Sequence, residues 1–239
     1  MAMPSPLLSH LRGALLLTGC LGLASCATLN SADSACPAVP PNIASSLPAI
    51  DGFMIDKDDN TQYSSWLGRK LADGRLMREP INMIVIDPAA NSDEEAAQRL
   101  VDTFSRAGFG PRPGHSSGYF GKMNGKLYTQ QPATKDHAFS DYMWAFSNNH
   151  ARFFGPYQSA LGRVWIGASS REKGVAHDYV SFSQSRQHMQ AALVRHARAS
   201  HLGCLNLNNQ LDLASEQTGD HDGYATVLSL DKVTRLSIK

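Results

Sequence analysis

The chain has 239 residues and carries 22 Lys and Arg against 21 Asp and Glu, for a net charge of +1. So even a balance excludes the strong positive field of a nucleic-acid binder, and no nucleic-acid partner is expected. No internal repeat is visible, and after the N-terminal run no second apolar stretch reaches membrane length.

Residues 1–25 hold the three parts of a secretory signal: Arg12 as the positive charge, the apolar core GALLLTGCLGLA over 13–24, and small residues before a break. The apolar run falls short of the roughly 20 residues that cross a bilayer of about 30 Å, so it reads as a cleaved signal. The stretch LASC, ending at Cys26, resembles the bacterial lipobox, in which a cysteine behind small residues takes diacylglycerol and becomes the first residue of the cut chain. That resemblance implies lipid on Cys26 and a membrane tether, each buried methylene contributing roughly 0.8 kcal/mol. Ala27 resembles the outer-membrane sorting pattern, which implies the periplasmic face of the outer membrane if the cell is Gram-negative. Of the four cysteines, Cys20 leaves with the signal and Cys26 carries lipid. Cys36 and Cys204 remain as a candidate disulfide of an exported chain, with two free thiols as the alternative.

Residues 26–50 are rich in Ser, Ala and Pro with one charge, Asp33, and their composition predicts an extended tether. The acidic patch Asp56, Asp58 and Asp59 reads as a solvated turn, because the glycine and distal glutamate of a calcium loop are missing. Residues 51–239 are long enough for a single domain with a sizeable core. PINMIVID over 80–87 is a continuous apolar run bounded by prolines, the pattern of a buried central strand. Ser92 with Glu95 forms a capping box for a helix that buries Ala97, Leu100, Val101, Phe104 and Ala107 and stops at Gly108. Residues 109–138, punctuated by glycine and proline, read as a long loop. Strands follow within SDYMWAFSNNHARFF, GRVWIGASSRE and VAHDYVSF, then a helix from Ser183 or Ser185 to about Leu202, then a closing hairpin of CLNLNNQLDLA and GYATVLSL. The order β-α-β-β-α-β predicts an α+β two-layer sandwich with a ferredoxin-like split βαβ core and additional strands.

Five segments, EPINMIVID, FSRAGF, NNHARFF, GRVWIGASSRE and HDYVSF leading into the second helix, together resemble the C-terminal domain of LssY-type bacterial envelope proteins over residues 79–195. The resemblance implies an envelope setting and carries over neither a reaction nor a catalytic residue. LssY joins this domain to a multi-span phosphatase module that has no counterpart in this chain.

The polar residues with most chemical potential are His150 and Arg152, Arg171 with Glu172, and His177 with Asp178, near predicted strand ends. Alternation along NHARFF puts His150 and Arg152 on one face. Converging there, a His, an Arg and a carboxylate could hold an anionic or sugar-like ligand; dispersed, Arg152, Arg171 and Asp178 would form structural ion pairs. Arg112-Pro113, His115, Ser170-Arg171 and His177 partly match a lipid-phosphate phosphatase pattern. Ser105 stands in place of its Lys, and Ser181 in place of the Asp that orients the nucleophilic His. The spacings of common metal motifs are absent and no cofactor or metal is expected; DHDG at 220–223 reads as a turn. The expected function is a membrane-tethered envelope lipoprotein with a non-enzymatic binding or structural role and a possible envelope partner. An envelope hydrolase acting on a phosphorylated or glycan substrate through His150, Arg152, His177 and Asp178 is the alternative.

Overall fold

The computed structural model describes residues 36–230, so the signal segment, Cys26 and residues 27–35 lie outside the described residues. In chain order the elements are α1 (Pro41–Ala44), β1 (Ser65–Lys70), β2 (Leu76–Arg78), β3 (Met83–Asp87), α2 (Asp93–Arg106), β4 (Pro111–Pro113), β5 (Phe120–Met123), β6 (Lys126–Gln131) and β7 (His137–Ser140). They continue as β8 (Asn148–Ser159), β9 (Gly162–Lys173), β10 (Asp178–Ser181), α3 (Phe182–His196), β11 (Ser200–Asn206), β12 (Glu216–Gln217) and β13 (Tyr224–Ser229). The result is a mixed-sheet fold with few helices, richer in strand than in helix.

The main sheet runs β11-β13-β3-β9-β8-β6-β5, with β10 on β9, β7 on β8 and β4 on β7. β3 is buried along its whole length and lies centrally between β13 and β9. Its last residue, Asp87, is fully buried: its carboxylate accepts from the amides of Ala89 and Ala90 and from Arg99 Nε at 2.7 Å, which turns the chain into α2. Ser92 caps that helix by accepting from the Glu95 amide at 3.1 Å, while the Glu95 carboxylate reaches back to the Asn91 amide rather than to Ser92.

β9 lies between β3 and β8, antiparallel to both. The last strand departs from the four-stranded order: β13 runs parallel to β3 and separates it from β11. The two-layer expectation is also corrected, because both faces of the sheet are covered. On one face Met83, Val85, Phe153, Trp165 and Leu228 pack against Leu100 and Phe104 of α2 and Met189 and Leu193 of α3. On the other, Ile84, Ile86, Phe154, Val164, Ile166 and Val227 pack against Val39, Ile43, Met54, Tyr119 and Met123. A three-stranded sheet, β1-β2-β12, stands apart over a small cluster of Trp66, Met77 and Phe182.

The tether expected over 26–50 is therefore corrected for residues 36–50, since the compact unit begins at Cys36. The Val39 amide donates to the Cys204 carbonyl, the Cys204 amide donates to the Pro37 carbonyl, and Val39 and Ile43 are buried. Scattered apolar residues in a Pro-rich segment have no period to reveal them, yet they cover a sheet face that would otherwise lie in water. Cys36 and Cys204 form a disulfide with Cα atoms 5.7 Å apart, and His201 Nε2 stands 3.6 Å from Cys36 Sγ.

Two further expectations change, and the DHDG turn gains a role. Residues 109–138 hold four short strands, β4 to β7, rather than one loop. β5 and β6 are joined at Asn124-Gly125, with φ of 47° and 75°, the left-handed pair that a tight hairpin needs. α3 starts at Phe182, with Ser181 as its cap, rather than at Ser183 or Ser185. Asp220 explains that start: its carboxylate accepts from Ser181 Oγ, from Tyr179 Oη at 2.5 Å and from the Phe182 amide at 2.8 Å. Asp222 pairs with Arg186 of the same helix at 2.6 and 2.7 Å, so DHDG anchors α3.

The disulfide closes a loop of 168 residues, which gives it large leverage on the unfolded chain. Cys36→Ser is expected to cost about 2–5 kcal/mol, read as a lowered urea midpoint that added reductant does not lower further. An unchanged midpoint would show that the bridge contributes nothing.

Candidate functional site

The β8–β9 register sets the site. Asn148 faces Glu172, His150 faces Ser170 and Arg152 faces Ala168. Alternation puts these six on the sheet face opposite α2 and α3, continuing the row of Phe154, Ile166 and Val164. The apolar row ends at Ala168, and the open end of the two strands is polar.

Three other segments close over that end. β1 brings Trp66, the residue after β2 brings Glu79, and the turn after β4 brings Gly114, His115 and Ser116. With His150, Arg152, Glu172 and His177 they line a cavity of about 50 Å³. Space of that size holds about three or four water molecules, far below the roughly 300–1,000 Å³ of ordinary small-molecule pockets. Trp66 Nε1 donates to the His177 carbonyl at 3.0 Å and fixes the β9–β10 turn, where His177 has φ of 53°. Trp144 stacks on the His177 ring, with centroids 5.4 Å apart. Gly114, at φ +91°, lies against Trp144 so closely that a Cβ there would overlap the indole.

Inside, Glu172 Oε1 faces His177 Nδ1 at 2.9 Å and accepts from Asn148 Nδ2 at 3.1 Å. His150 Nδ1 stands 3.2 Å from Asn148 Oδ1 and 3.8 Å from Glu172 Oε1, and its Nε2 stands 3.2 Å from Ser170 Oγ. Because the Asn148 amide nitrogen already donates to Glu172 and to the Phe146 carbonyl, its Oδ1 accepts from His150 Nδ1–H, and His150 Nε2 takes the Ser170 hydroxyl proton. His115 stacks near His150 with centroids 4.7 Å apart, yet its Nε2 is buried with no hydrogen-bond partner. Arg152 gives Nε to the Ser116 carbonyl at 3.0 Å and Nη2 to Ser116 Oγ at 3.2 Å. Its guanidinium also lies over Tyr119 and 3.9 Å from Glu79. Arg152 thus holds the 114–119 segment in place and is mostly spent on it.

Of the residues singled out in the sequence, His150, Arg152, Glu172 and His177 meet here. Arg171 does not: alternation turns it toward the helix face, where Nη1 donates to Asn149 Oδ1 at 3.4 Å. Asp178 is exposed on β10, opposite Lys173. The carboxylates of the cavity are instead Glu172 and Glu79. His115 stood out in the sequence only within the phosphatase pattern, and nothing local marked Trp66 or Glu79. Cys36, His201 and Cys204 also lie close together, but both sulfurs are committed to the disulfide.

Burial dominates the electrostatics. It pushes His115 down to about 3, helped by the positive charge of Arg152, and holds His150 well below its ordinary 6.5. It pushes Glu79 up to about 7, which Arg152 opposes and Glu172 reinforces. Away from the cavity, burial holds His221 at about 4. Around pH 5 the unfolded chain therefore binds three histidine protons that the native fold resists, while native Glu79 keeps one that the unfolded chain releases. The net excess of two protons on the unfolded side makes stability fall as pH drops from about 6.5, by up to roughly 2–3 kcal/mol per pH unit near pH 5. Urea midpoints at pH 7, 6 and 5 in metal-free buffer should fall accordingly, with a shallower fall for His115→Gln; a flat series would contradict the buried neutral histidines. No family model, curated protein or solved structure matches the chain, and the reading of the cavity rests on its own geometry.

Proposed function

We propose that the protein is an envelope lipoprotein, tethered through lipid on Cys26, whose folded unit binds a small polar ligand in the cavity between β1, the 114–116 turn and the open end of β8–β9. The observation that carries the binding reading is convergence: three histidines, two glutamates and an arginine from five separate segments line one small cavity. Burying so many polar groups costs stability unless each is hydrogen-bonded, and His115 Nε2 is not, a pattern that favours a functional site. The Cys36–Cys204 disulfide supports an oxidising compartment, and its position after ten residues of chain from Cys26 supports a short leash. The fold that goes with this reading is a ferredoxin-like split βαβ core of β3, α2, β8, β9 and α3, widened by β13 and β11.

Cavity size favours binding over the hydrolase. About 50 Å³ does not enclose a sugar ring or a phosphoryl group with its leaving group. One observation keeps hydrolysis in view: Glu79, held at about 7, can take or give a proton at neutral pH. A phosphatase or glycosidase activity abolished by Glu79→Gln would establish that second reading, and inactivity across phosphomonoester and glycan panels would remove it.

The tether is tested by intact mass and membrane fractionation of the chain, native and as Cys26→Ser. Residues 26–239 plus lipid, with membrane attachment lost in the variant, is the expected result. The same lipid-free mass in both samples would overturn the lipoprotein reading.

A further inference from the structure

We infer that His115, His150 and Glu172 form a site for one divalent transition-metal ion of the zinc class. The inference rests on the reading of the cavity as a binding site and names its ligand.

Each of the three side chains offers one ligand atom, and these atoms all lie within 4.8 Å of one another. Neighbouring donors around a tetrahedral ion at about 2.0–2.1 Å stand roughly 3.3 Å apart. The pair His150 Nδ1 and Glu172 Oε1, at 3.8 Å, is already close to that span. His115 completes the set: it is 4% exposed, and its buried Nε2 has no hydrogen-bond partner to give up to an ion. An imidazole nitrogen is costly to bury unpaired, by about 1–3 kcal/mol, and a metal bond removes that cost.

The surroundings suit an ion as well. Asn148 Nδ2 and His177 Nδ1 both contact Glu172 Oε1, the kind of outer contact that orients a ligating carboxylate. Ser170 Oγ holds the His150 ring from its other nitrogen, Nε2, and Nδ1 exchanges its proton and its contact with Asn148 Oδ1 for the ion. Trp66 and Trp144 shield the site, through Trp66 on the His177 carbonyl and Trp144 on the His177 ring. Two imidazoles and one carboxylate are the donor set of borderline divalent ions and leave a coordination position facing the cavity, whose volume admits an ion with a few waters.

The test titrates zinc chloride into the full chain, stripped with chelator, by calorimetry, with cobalt absorption as a second readout. One zinc per chain is expected, with affinity lowered at least about 100-fold in His115→Ala and about tenfold or more in Glu172→Gln. His188→Ala, at an exposed position, should bind as the native chain does. Near-UV circular dichroism identifies any variant that fails to fold, and His115→Gln, which keeps a polar side chain, replaces it. Zinc bound with no defined stoichiometry, or bound equally by the His115 variants, would overturn the site. A folded chain that ignores zinc but is stabilised by inorganic phosphate through Arg152 would keep the cavity as a binding site and remove the metal. A chain that answers to neither would remove both.

Discussion

The polar floor of the site follows from the pairing of β8 with β9. The two twelve-residue strands pair in a register, shifted by a bulge between Phe154 and Tyr157, that sets Asn148 against Glu172 and His150 against Ser170. Deeper along the same face the side chains are Phe154, Ile166 and Val164, part of a packed core. Polar groups can gather only at the open end, where they must satisfy one another because little water reaches them. They largely do: Glu172 with Asn148 and His177, and His150 with Asn148 and Ser170. His115 Nε2 is the member of the cavity left over. That residue separates a self-contained polar cluster from one arranged around something else.

The second constraint is the burial of the main sheet on both faces. Helices α2 and α3 cover one side, and the other is covered by the largely irregular residues 36–55 and by the β5–β6 hairpin. Irregular chain holds such a position only if its ends are fixed. The Cys36–Cys204 bridge fixes one end, and backbone bonds such as Ile55 amide to Phe120 carbonyl fix the other. Arg152, bonded to Ser116 across the sheet face, ties the 114–119 segment over the cavity in the same way. The site is thus built where β1, the residue after β2 and the turn after β4 converge on the sheet that supplies the geometry.

This explains what could be read in advance. The strand ending at Asp87 and the helix capped by Ser92 are local patterns, a solid apolar run and a capping signal, and they stand where those patterns put them. Alternation likewise places His150 with Arg152, and the structure has them on one face. The Asn124-Gly125 turn was equally legible and marks the hairpin inside the presumed loop. Arg171 was chosen by proximity in sequence, although strand alternation turns it away from Ser170 and Glu172. His115, Glu79 and Trp66 reach the cavity only through long-range topology, from segments 35 to 84 residues before His150. No local period carries such information.

The most direct test of the central claim is diffraction from zinc-loaded crystals at wavelengths on either side of the zinc absorption edge. One anomalous peak is expected inside the cavity, about 2.0–2.2 Å from a nitrogen of His115, a nitrogen of His150 and an oxygen of Glu172. Zinc found only at exposed histidines, with His115 still unpaired beside His150, would contradict it.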